Sequence, residues 1–268
     1  MAQPGRRTAP PGVQVKPGER RRAFLSKEKL FKAEGLVLRT RVLGEADRLI
    51  TLLTREEGKF EAVARGARRV KSKLAAGVDL FTHGCYTFHR GKTWPIITGQ
   101  DAIERFNWFR ENPALYAVGL YFSELTDRLI SGEEPCPEIF GLLLEAWSLL
   151  GEEPDHFLLC RAFELKLARA AGYSPHLDSC INCGQFRINT FSPRQGGMLC
   201  RRCRTADAIT IDPGTLALLR RLVEAPISQA GRLRPLANQK KELAAVASSF
   251  LTYHLDLGEI KSRFFLKE

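Results

Sequence analysis

The feature that most constrains this chain is a cluster of four cysteines in the 24-residue stretch CINCGQFRINTFSPRQGGMLCRRC. Cys180 and Cys183 form one C-x2-C pair, Cys200 and Cys203 form a second, and 16 residues separate the pairs. This spacing is typical of a zinc site in which two tight turns face each other and supply four thiolates. The sequence therefore predicts a four-cysteine zinc module at about residues 176–206.

The predicted zinc site is closed. Four sulfurs fill the tetrahedral shell that zinc prefers and leave no position for a catalytic water. Gly184, Gly196 and Gly197 lie beside the cysteine pairs and permit the backbone conformations that tight loops need. The H-x-E and P-C-x-x-C elements of zinc deaminases are absent. We therefore expect one Zn²⁺ with a structural role.

The remaining cysteines favour a reducing compartment. Cys85, Cys136 and Cys160 are isolated, and an odd total with one tight cluster fits a metal better than a disulfide framework. Cys160 lies in an apolar helical pattern and is expected in the core. The sequence has no run of 18 apolar residues and no apolar stretch after the N-terminal arginines. We therefore expect no membrane association, no secretory signal and a cytoplasmic location.

The net charge of +11 is concentrated near the N-terminus. Residues 1–33 carry nine Lys and Arg against two acidic residues, residues 34–104 twelve against nine, and residues 105–268 twenty against nineteen. This distribution points to a polyanionic partner, with nucleic acid as the leading candidate. The first segment is rich in Pro, Gly and Arg and is predicted to be a disordered basic tail, for which solubility is the alternative role.

Five short β-branched or apolar runs follow the tail: EGLVLRTRVL, DRLITLLT, KFEAVARG, CYTFHRG and PIITGQDAIE. Glu57-Gly58 is predicted to form a tight turn between the second and third runs. Five strands within about 70 residues predict a small closed or nearly closed β-barrel. An oligonucleotide-binding (OB) fold over residues 34–104 is the best-known example, and the pattern leaves an SH3-like barrel open as the alternative.

From Asn112 the hydrophobic period becomes helical. Asn112 is a good N-cap, and Pro113 suits the first helical position. Further helical patterns are PEIFGLLLEAWSLLG, PDHFLLCRAFELKLARAAG, PGTLALLRRLVEA and QKKELAAVASSFLTYHLDL. Residues 105–268 are therefore predicted to form an α-helical domain that carries the inserted zinc module. The predicted fold class is α+β and multidomain.

The densest positive charge of the predicted barrel lies in ARGARRVKSKL, directly after the third strand. Five cations in nine residues, without an acid among them, suit a flexible connector that wraps a phosphate backbone. The predicted DNA contacts are these five cations and four that extend the track: Arg65, Arg68, Arg69, Lys71 and Lys73, then Arg39, Arg41, Arg48 and Lys92.

Trp94 is the best candidate for stacking on a base. The other barrel aromatics are weaker candidates, since core packing is their more common role: Phe60, Phe81, Tyr86 and Phe88. Three arginines of the cysteine stretch are either a rival DNA surface or a solvated loop: Arg201, Arg202 and Arg204.

Recognisable catalytic motifs are absent from the sequence. The five histidines are scattered, and no nucleophile elbow, P-loop, dinucleotide-binding glycine motif or acidic metal-binding run occurs. We therefore expect a binding protein and not an enzyme. An RNA- or transcription-associated zinc-ribbon protein is the alternative that fits the charge and the cysteines. A zinc-dependent hydrolase or nuclease is disfavoured because it needs an open metal position and carboxylates.

Three stretches resemble a known family. They are GEADRLITLLTREEGKFEAVARGARRVKSKL (44–74), LKLARAAGYSPHLDSCINCG (165–184) with its F-S-P-x-x-G-G-x-x-C continuation, and IKSRFFL (260–266). In this order and spacing they are similar to the bacterial RecO family of DNA repair proteins. The likeness covers about residues 30–268 and leaves out the basic tail.

The resemblance implies a recombination mediator of the RecF pathway with an N-terminal OB domain, a helical domain and an inserted zinc module. RecO proteins bind single- and double-stranded DNA and anneal complementary strands. They act with RecR, often also with RecF, to load RecA onto strands coated by single-stranded-DNA-binding protein (SSB). The resemblance therefore implies DNA, RecR, SSB and RecF as partners and a nucleoid-associated location. Some relatives lack the cysteines, which implies a structural role for the metal.

Overall fold

A computed structural model describes residues 29–152 and 155–265 of the chain. Within these ranges a five-stranded mixed sheet comes first, and a helical domain with a small second sheet follows. The predicted basic tail lies outside the described residues except for its last five positions. The order of a sheet followed by helices is the one predicted from the sequence.

Five strands form the first sheet: β1 (Leu30–Leu43), β2 (Asp47–Thr54), β3 (Gly58–Ala64), β4 (His83–His89) and β5 (Ile96–Glu104). Each predicted run overlaps one of these strands. The neighbours follow the order β1-β2-β3-β5-β4, and β4 pairs back with β1, so the strand pairings form a closed cycle. Every pairing is antiparallel except that of β3 with β5, which is parallel and joins Val63 to Ile96.

Alternating apolar side chains fill the inside of this closed sheet. Ile50, Phe60 and Phe88 are at most 5% exposed and belong to one apolar cluster. Phe31 packs in the same cluster, with its ring centroid 5.0 Å from that of Phe88. Because Phe31 is part of this core, residues 30–33 belong to β1. The predicted strand start and tail boundary were therefore four residues too late.

The rest of the chain is mainly helical. In the described part of the chain, six α-helices and two 3-10 turns follow the sheet: α1 (Trp108–Glu111), α2 (Pro113–Leu129), α3 (Pro137–Leu150), α4 (Phe157–Ala170), α5 (Pro213–Glu224), the turn Ile227–Arg232, α6 (Ala237–His254) and the C-terminal turn Lys261–Phe265. The predicted cap of α2 is confirmed, since the Asn112 side chain accepts hydrogen bonds from the N–H groups of Ala114 and Leu115. Cys160 is buried in α4, as expected. Over the described ranges, none of the helices has the length and apolar character that a membrane span requires.

The cysteine stretch folds as a small module between α4 and α5. Its three strands are β6 (Thr190–Ser192), β7 (Gly197–Leu199) and β8 (Ile209–Thr210), in the order β7-β6-β8. The pairing of β8 with β6 extends this sheet four residues past the predicted end of the module. Phe191 and Met198 belong to the main apolar core, whereas Leu199 clusters with Cys180 and Cys200. The module therefore packs on the helical domain and also has a small core of its own around the cysteines.

The large sheet and the helices share one apolar core. Leu36, Leu38 and Leu53 point away from the sheet interior and belong to the cluster formed by the helices. Lys59 of β3 and Asp127 of α2, each 16% exposed, form an ion pair of 2.8 Å across this joint. The helices thus cover one end of the outer face of β1, β2 and β3 and leave the other end open.

Gly58 determines how closely the sheet and the helical domain approach. Its φ of +71° lies in the left-handed region that favours glycine. A Cβ at this position would lie 2.5 Å from backbone atoms of Glu133 and Glu134. The turn predicted at Glu57-Gly58 therefore also serves as a contact surface between the two parts of the protein.

Candidate metal centre and nucleic-acid face

The four cysteines predicted as metal ligands come together in the module. The Sγ atoms of Cys180, Cys183, Cys200 and Cys203 all lie within 4.8 Å of one another, and the Sγ atoms of Cys183 and Cys200 are 3.6 Å apart. A tetrahedron with metal–sulfur bonds of about 2.3 Å has sulfur–sulfur edges of about 3.8 Å. The donor set and its spacing therefore fit a single metal ion.

Two backbone turns position these sulfurs. In the first turn the N–H of Gly184 donates to the carbonyl oxygen of Cys180 at 2.8 Å, and in the second the N–H of Cys203 donates to that of Cys200 at 3.1 Å. Gly184 has a φ of +74°, a left-handed conformation that glycine permits. The C-x2-C spacing thus closes each turn and directs both of its thiols to the same side.

The thiols divide into those that ionise readily and those that do not. Burial opposes ionisation of Cys180, but hydrogen bonds from backbone N–H groups, first that of Cys200, outweigh burial and lower the pKa of Cys180 to about 6. Hydrogen bonds with the side chains of Cys183 and Cys200 raise the pKa of Cys203 to about 12. The negative charge of a thiolate that has already formed disfavours ionisation of the remaining thiols. A bound cation would relieve that repulsion.

The module is fixed to α6. His254 Nε2 lies 2.8 Å from the carbonyl oxygen of Pro193, and the ring centroids of Phe250 and Phe191 are 6.2 Å apart. Gly196 has a φ of +73°, and a Cβ there would lie 2.9 Å from His254 Nε2. Gly196, which precedes the second cysteine pair, is therefore favoured both by the left-handed turn and by the close contact with His254 of α6.

The stretch after β3, residues 65–73, is called the basic loop below. Arg68 anchors it to the turn between β1 and β2, because its Nη1 donates to the carbonyl oxygens of Gly44 and Glu45 at 3.1 and 2.8 Å. The carboxylate of Asp47 accepts a hydrogen bond of 2.7 Å from the backbone N–H of the glycine in the loop. One of the predicted DNA contacts thus has a structural role in the loop.

Four other cations of the basic loop and the lysine of the β4–β5 turn are exposed and free. No carboxylate among the described residues pairs with them: Arg65, Arg69, Lys71, Lys73 and Lys92. Val70 is fully exposed between two of these cations. Trp94 is half-buried in the same turn as Lys92. This part of the sheet therefore presents five positive charges that no described carboxylate neutralises.

Arg39 and Arg41 lie on the outer face of β1, and both contact carboxylates. Arg39 Nη2 is 3.6 Å from Glu61 Oε1 and 3.5 Å from Asp127 Oδ2. Arg41 forms a short ion pair with the same oxygen of Glu61. These two predicted DNA contacts are therefore close together on one face, and their charges are partly compensated.

Arg48 is placed differently. Its guanidinium is partly buried and pairs with Asp79, which also binds Arg110 of α1 at 2.8 Å. Because Arg110 belongs to the helical domain, this three-residue cluster joins the sheet to the helices. Arg48 thus contributes to the domain joint.

The weaker stacking candidates are part of the core. Phe60, Tyr86 and Phe88 lie inside the closed sheet, and Phe81 packs edge-on against Trp147 with ring centroids 5.5 Å apart. None of the four candidates is more than 5% exposed. Their burial leaves no free ring face for a base, so the core interpretation of these residues is confirmed.

Phe186, in the loop after the first cysteine pair, is 83% exposed and was missed by the sequence analysis. Arg187 beside it is exposed, as are Arg201, Arg202 and Arg204 on the second cysteine turn. None of these arginines forms an ion pair with a described residue. No sequence periodicity marks an exposed aromatic in a short loop, which is why the pattern gave no signal for it.

Fold and site together define a class of proteins in which a closed five-stranded sheet with an anchored basic loop is joined to a helical part. The helical part carries a four-cysteine module able to hold a metal. Two family models match the chain over these same parts. The model described as recombination protein O N terminal matches residues 29–106, and the model described as recombination protein O C terminal matches residues 110–264. The chain belongs to the recombination protein O family.

Curated relatives agree with this assignment. DNA repair protein RecO of Heliobacterium modesticaldum is 37% identical over 227 residues, which cover 81% of this chain and 82% of the relative. The protein of the same name from Pelotomaculum thermopropionicum is 34% identical over 242 residues, 89% of this chain and 94% of the relative. DNA repair protein RecO of Symbiobacterium thermophilum is 34% identical over 245 residues, which cover 88% of this chain and 96% of the relative.

Proposed function

We propose that this protein is a recombination mediator in DNA repair that binds single- and double-stranded DNA and anneals complementary strands. With RecR, and with RecF as a further partner, it helps to load RecA onto strands coated by SSB. It therefore acts on chromosomal DNA in the cytoplasm. Family membership supports the pathway. The observation that carries the binding function is the anchored basic loop, whose free cations stand beside the closed sheet.

We further propose that the closed sheet is an OB-type barrel. The return of β4 to β1 and the parallel pairing of β3 with β5 are the connections of that fold. OB folds bind strands on the face of β2 and β3, between the β1–β2 and β4–β5 turns. In this chain the basic loop is fixed to the first turn through Arg68, and the second turn carries Lys92 and Trp94. The proposed DNA path runs between these turns across Arg39 and Arg41.

The proposed metal is one zinc ion bound by Cys180, Cys183, Cys200 and Cys203. Zinc suits four thiolates, and four protein ligands complete its usual shell. Bound in this way, the metal would cross-link the two cysteine turns. Four thiolates fill this shell and leave no position for a catalytic water, so the proposed role is structural, and the protein is proposed not to be an enzyme.

A strand-annealing assay tests the function. Two complementary labelled oligonucleotides, bare or coated with SSB, are mixed with the purified protein, with and without ATP. We expect faster annealing than without protein, no dependence on ATP and no nucleotide hydrolysis. Binding of RNA much more tightly than DNA of the same sequence, or no annealing at all, would contradict the proposal. Strand cleavage that persists through repurification would contradict the non-enzymatic role.

A further inference from the structure

Glu61 lies where the proposed DNA path crosses the sheet. In the strand registers, Arg39 of β1 pairs with Thr51 of β2, and Thr51 pairs with Glu61 of β3. The three residues thus lie side by side across three strands. Because successive side chains alternate between faces, Arg41 points to the same side as Arg39. One carboxylate therefore stands opposite two arginines.

A single oxygen of Glu61 serves both arginines. Oε1 forms a short hydrogen bond with Arg41 and lies 3.6 Å from Arg39 Nη2. The side chains of Arg39 and Arg41 are 45% and 51% exposed, and that of Glu61 is 30% exposed. A phosphate can therefore reach these guanidinium groups from solvent. Ion pairs at such exposed positions are weak and exchange readily.

Carboxylate and phosphate oxygens are acceptors of the same kind for a guanidinium group. An arginine whose donors face a carboxylate cannot give the same donors to a phosphate. We infer that Glu61 is a built-in competitor of DNA, an intramolecular carboxylate that occupies Arg41 and Arg39 until phosphates displace it. This inference rests on the proposed DNA-binding function and deepens it, because it names the group that limits affinity at the proposed site.

The two arginines are not equivalent in this arrangement. Arg39 has two further acceptors, the carboxylate of Asp127 at 3.5 Å and the hydroxyl of Thr51 at 3.4 Å. Lys59 also contacts the carboxylate of Asp127. Arg41 pairs with Glu61 alone among the described carboxylates. Removing the charge of Glu61 therefore leaves Arg41 without an ion-pair partner among the described residues, whereas Arg39 keeps Asp127 of α2. Most of the gain in DNA binding should come through Arg41.

The test compares two variants that remove one negative charge each. Glu61→Gln removes the competitor. Asp101→Asn is the matched control, because Asp101 is exposed on β5 of the same sheet and pairs with no described cation. Dissociation constants for a labelled single-stranded oligonucleotide are measured by fluorescence anisotropy at low salt. Thermal melting confirms that each variant is folded.

Glu61→Gln is expected to bind about three- to tenfold more tightly than the parent, and Asp101→Asn to change affinity by less than about twofold. In an Arg41→Ala background, Glu61→Gln should gain less than about twofold. Equal affinities of the two charge variants, weaker binding by Glu61→Gln, or an undiminished gain in the Arg41→Ala background would each overturn the inference. If the parent itself does not bind DNA, the proposed function fails, and this outcome is distinct from a parent that binds but is indifferent to Glu61.

Discussion

Cys183 shows most clearly, at the scale of single residues, what a metal would contribute. Its side chain is exposed, and yet its sulfur lies 3.6 Å from that of Cys200. Replacing an exposed residue with serine ordinarily changes the free energy of unfolding by no more than about 0.5 kcal/mol. A large loss of stability on replacing Cys183 would therefore indicate a lost metal–thiolate bond, because the exposed side chain has little buried surface to lose.

Cys183→Ser is expected to release the metal and to lower Tm by roughly 5–10 °C, because metal binding and folding are coupled in such modules. Metal analysis of the purified protein and thermal melting measure the two effects. Cys85→Ser is the control, since Cys85 is an exposed free cysteine on β4. A stable Cys183→Ser protein with stoichiometric zinc would refute the metal site.

Single residues also show which contacts spacing and charge can predict and which depend on the folded strands. The cysteines and the cations of the basic loop are close in the sequence, so spacing and charge were enough to propose them as site residues. Glu61 is 20 residues from Arg41, and the two meet only because two strand registers bring them together. The anchoring role of Arg68 likewise depends on the folded turn at Gly44 and Glu45. Contacts of this kind cannot be derived from local patterns.

The strands of the large sheet and the start of α2 followed local rules. β-branched runs predicted the five strands of the large sheet, and Asn112 with Pro113 predicted the start of α2. The start of β1 was missed because the apolar residues Leu30 and Phe31 stand among cations of the tail. The strands of the module are only two or three residues long and are set by the cysteine turns, so propensity could not indicate them.

The C-terminal 3-10 turn is held on α2 by a single carboxylate. Glu124 accepts hydrogen bonds from the N–H of Lys261 at 3.2 Å and from the N–H and the hydroxyl of Ser262 at 2.8 and 2.6 Å. Burial opposes ionisation of Glu124, but the hydrogen bonds from Ser262 outweigh it, so the pKa of Glu124 is lowered. The C-terminal 3-10 turn is thus attached by an interaction that depends on charge.

This attachment predicts a pH dependence. Because its pKa is lowered in the folded protein, Glu124 stabilises the fold fully at pH values above the pKa of an unfolded glutamate, about 4.3. This stabilisation is lost as the pH falls through the lower pKa of the folded state. Glu124→Gln should therefore be about 1–2 kcal/mol less stable at pH 7 and should lose less stability than the parent between about pH 5 and pH 3.

Urea unfolding of the parent and of Glu124→Gln at pH 7, 5 and 3 measures the stability difference. Hydrogen exchange at the amides of Lys261 and Ser262 shows whether the difference arises at the C-terminal turn. Asp101→Asn serves as the control for a removed charge. Identical pH dependence in the parent and Glu124→Gln would show that this carboxylate does not anchor the turn.

At the scale of the whole molecule, the domain joint decides which part of the sheet is open. The helices cover Leu36, Leu38 and Leu53, and Gly58 lies against the backbone at Glu133. The free cations lie in the basic loop after β3 and in the β4–β5 turn. In the strand registers, Leu53 pairs near the start of β3 and Leu36 pairs with the start of β4, so the cations lie at the opposite ends of these strands. The module presents a second group of free arginines, on the cysteine turns. The central question is therefore which of these two basic surfaces binds DNA.

The salt dependence of single-stranded DNA binding answers this question most directly. The loop variant replaces Arg69, Lys71 and Lys73 with alanine and keeps Arg68, so that the loop stays anchored. The matched variant replaces Arg201, Arg202 and Arg204 and removes the same charge. Dissociation constants are measured at several salt concentrations.

The loop variant should bind at least tenfold more weakly at low salt. The slope of log K against log salt should become shallower by about 2, because the loss of three phosphate contacts reduces the number of counterions that binding releases. The module variant should stay within about threefold of the parent. A loop variant that binds like the parent, together with a module variant that has lost binding and salt dependence, would contradict the account and would place the DNA on the cysteine module.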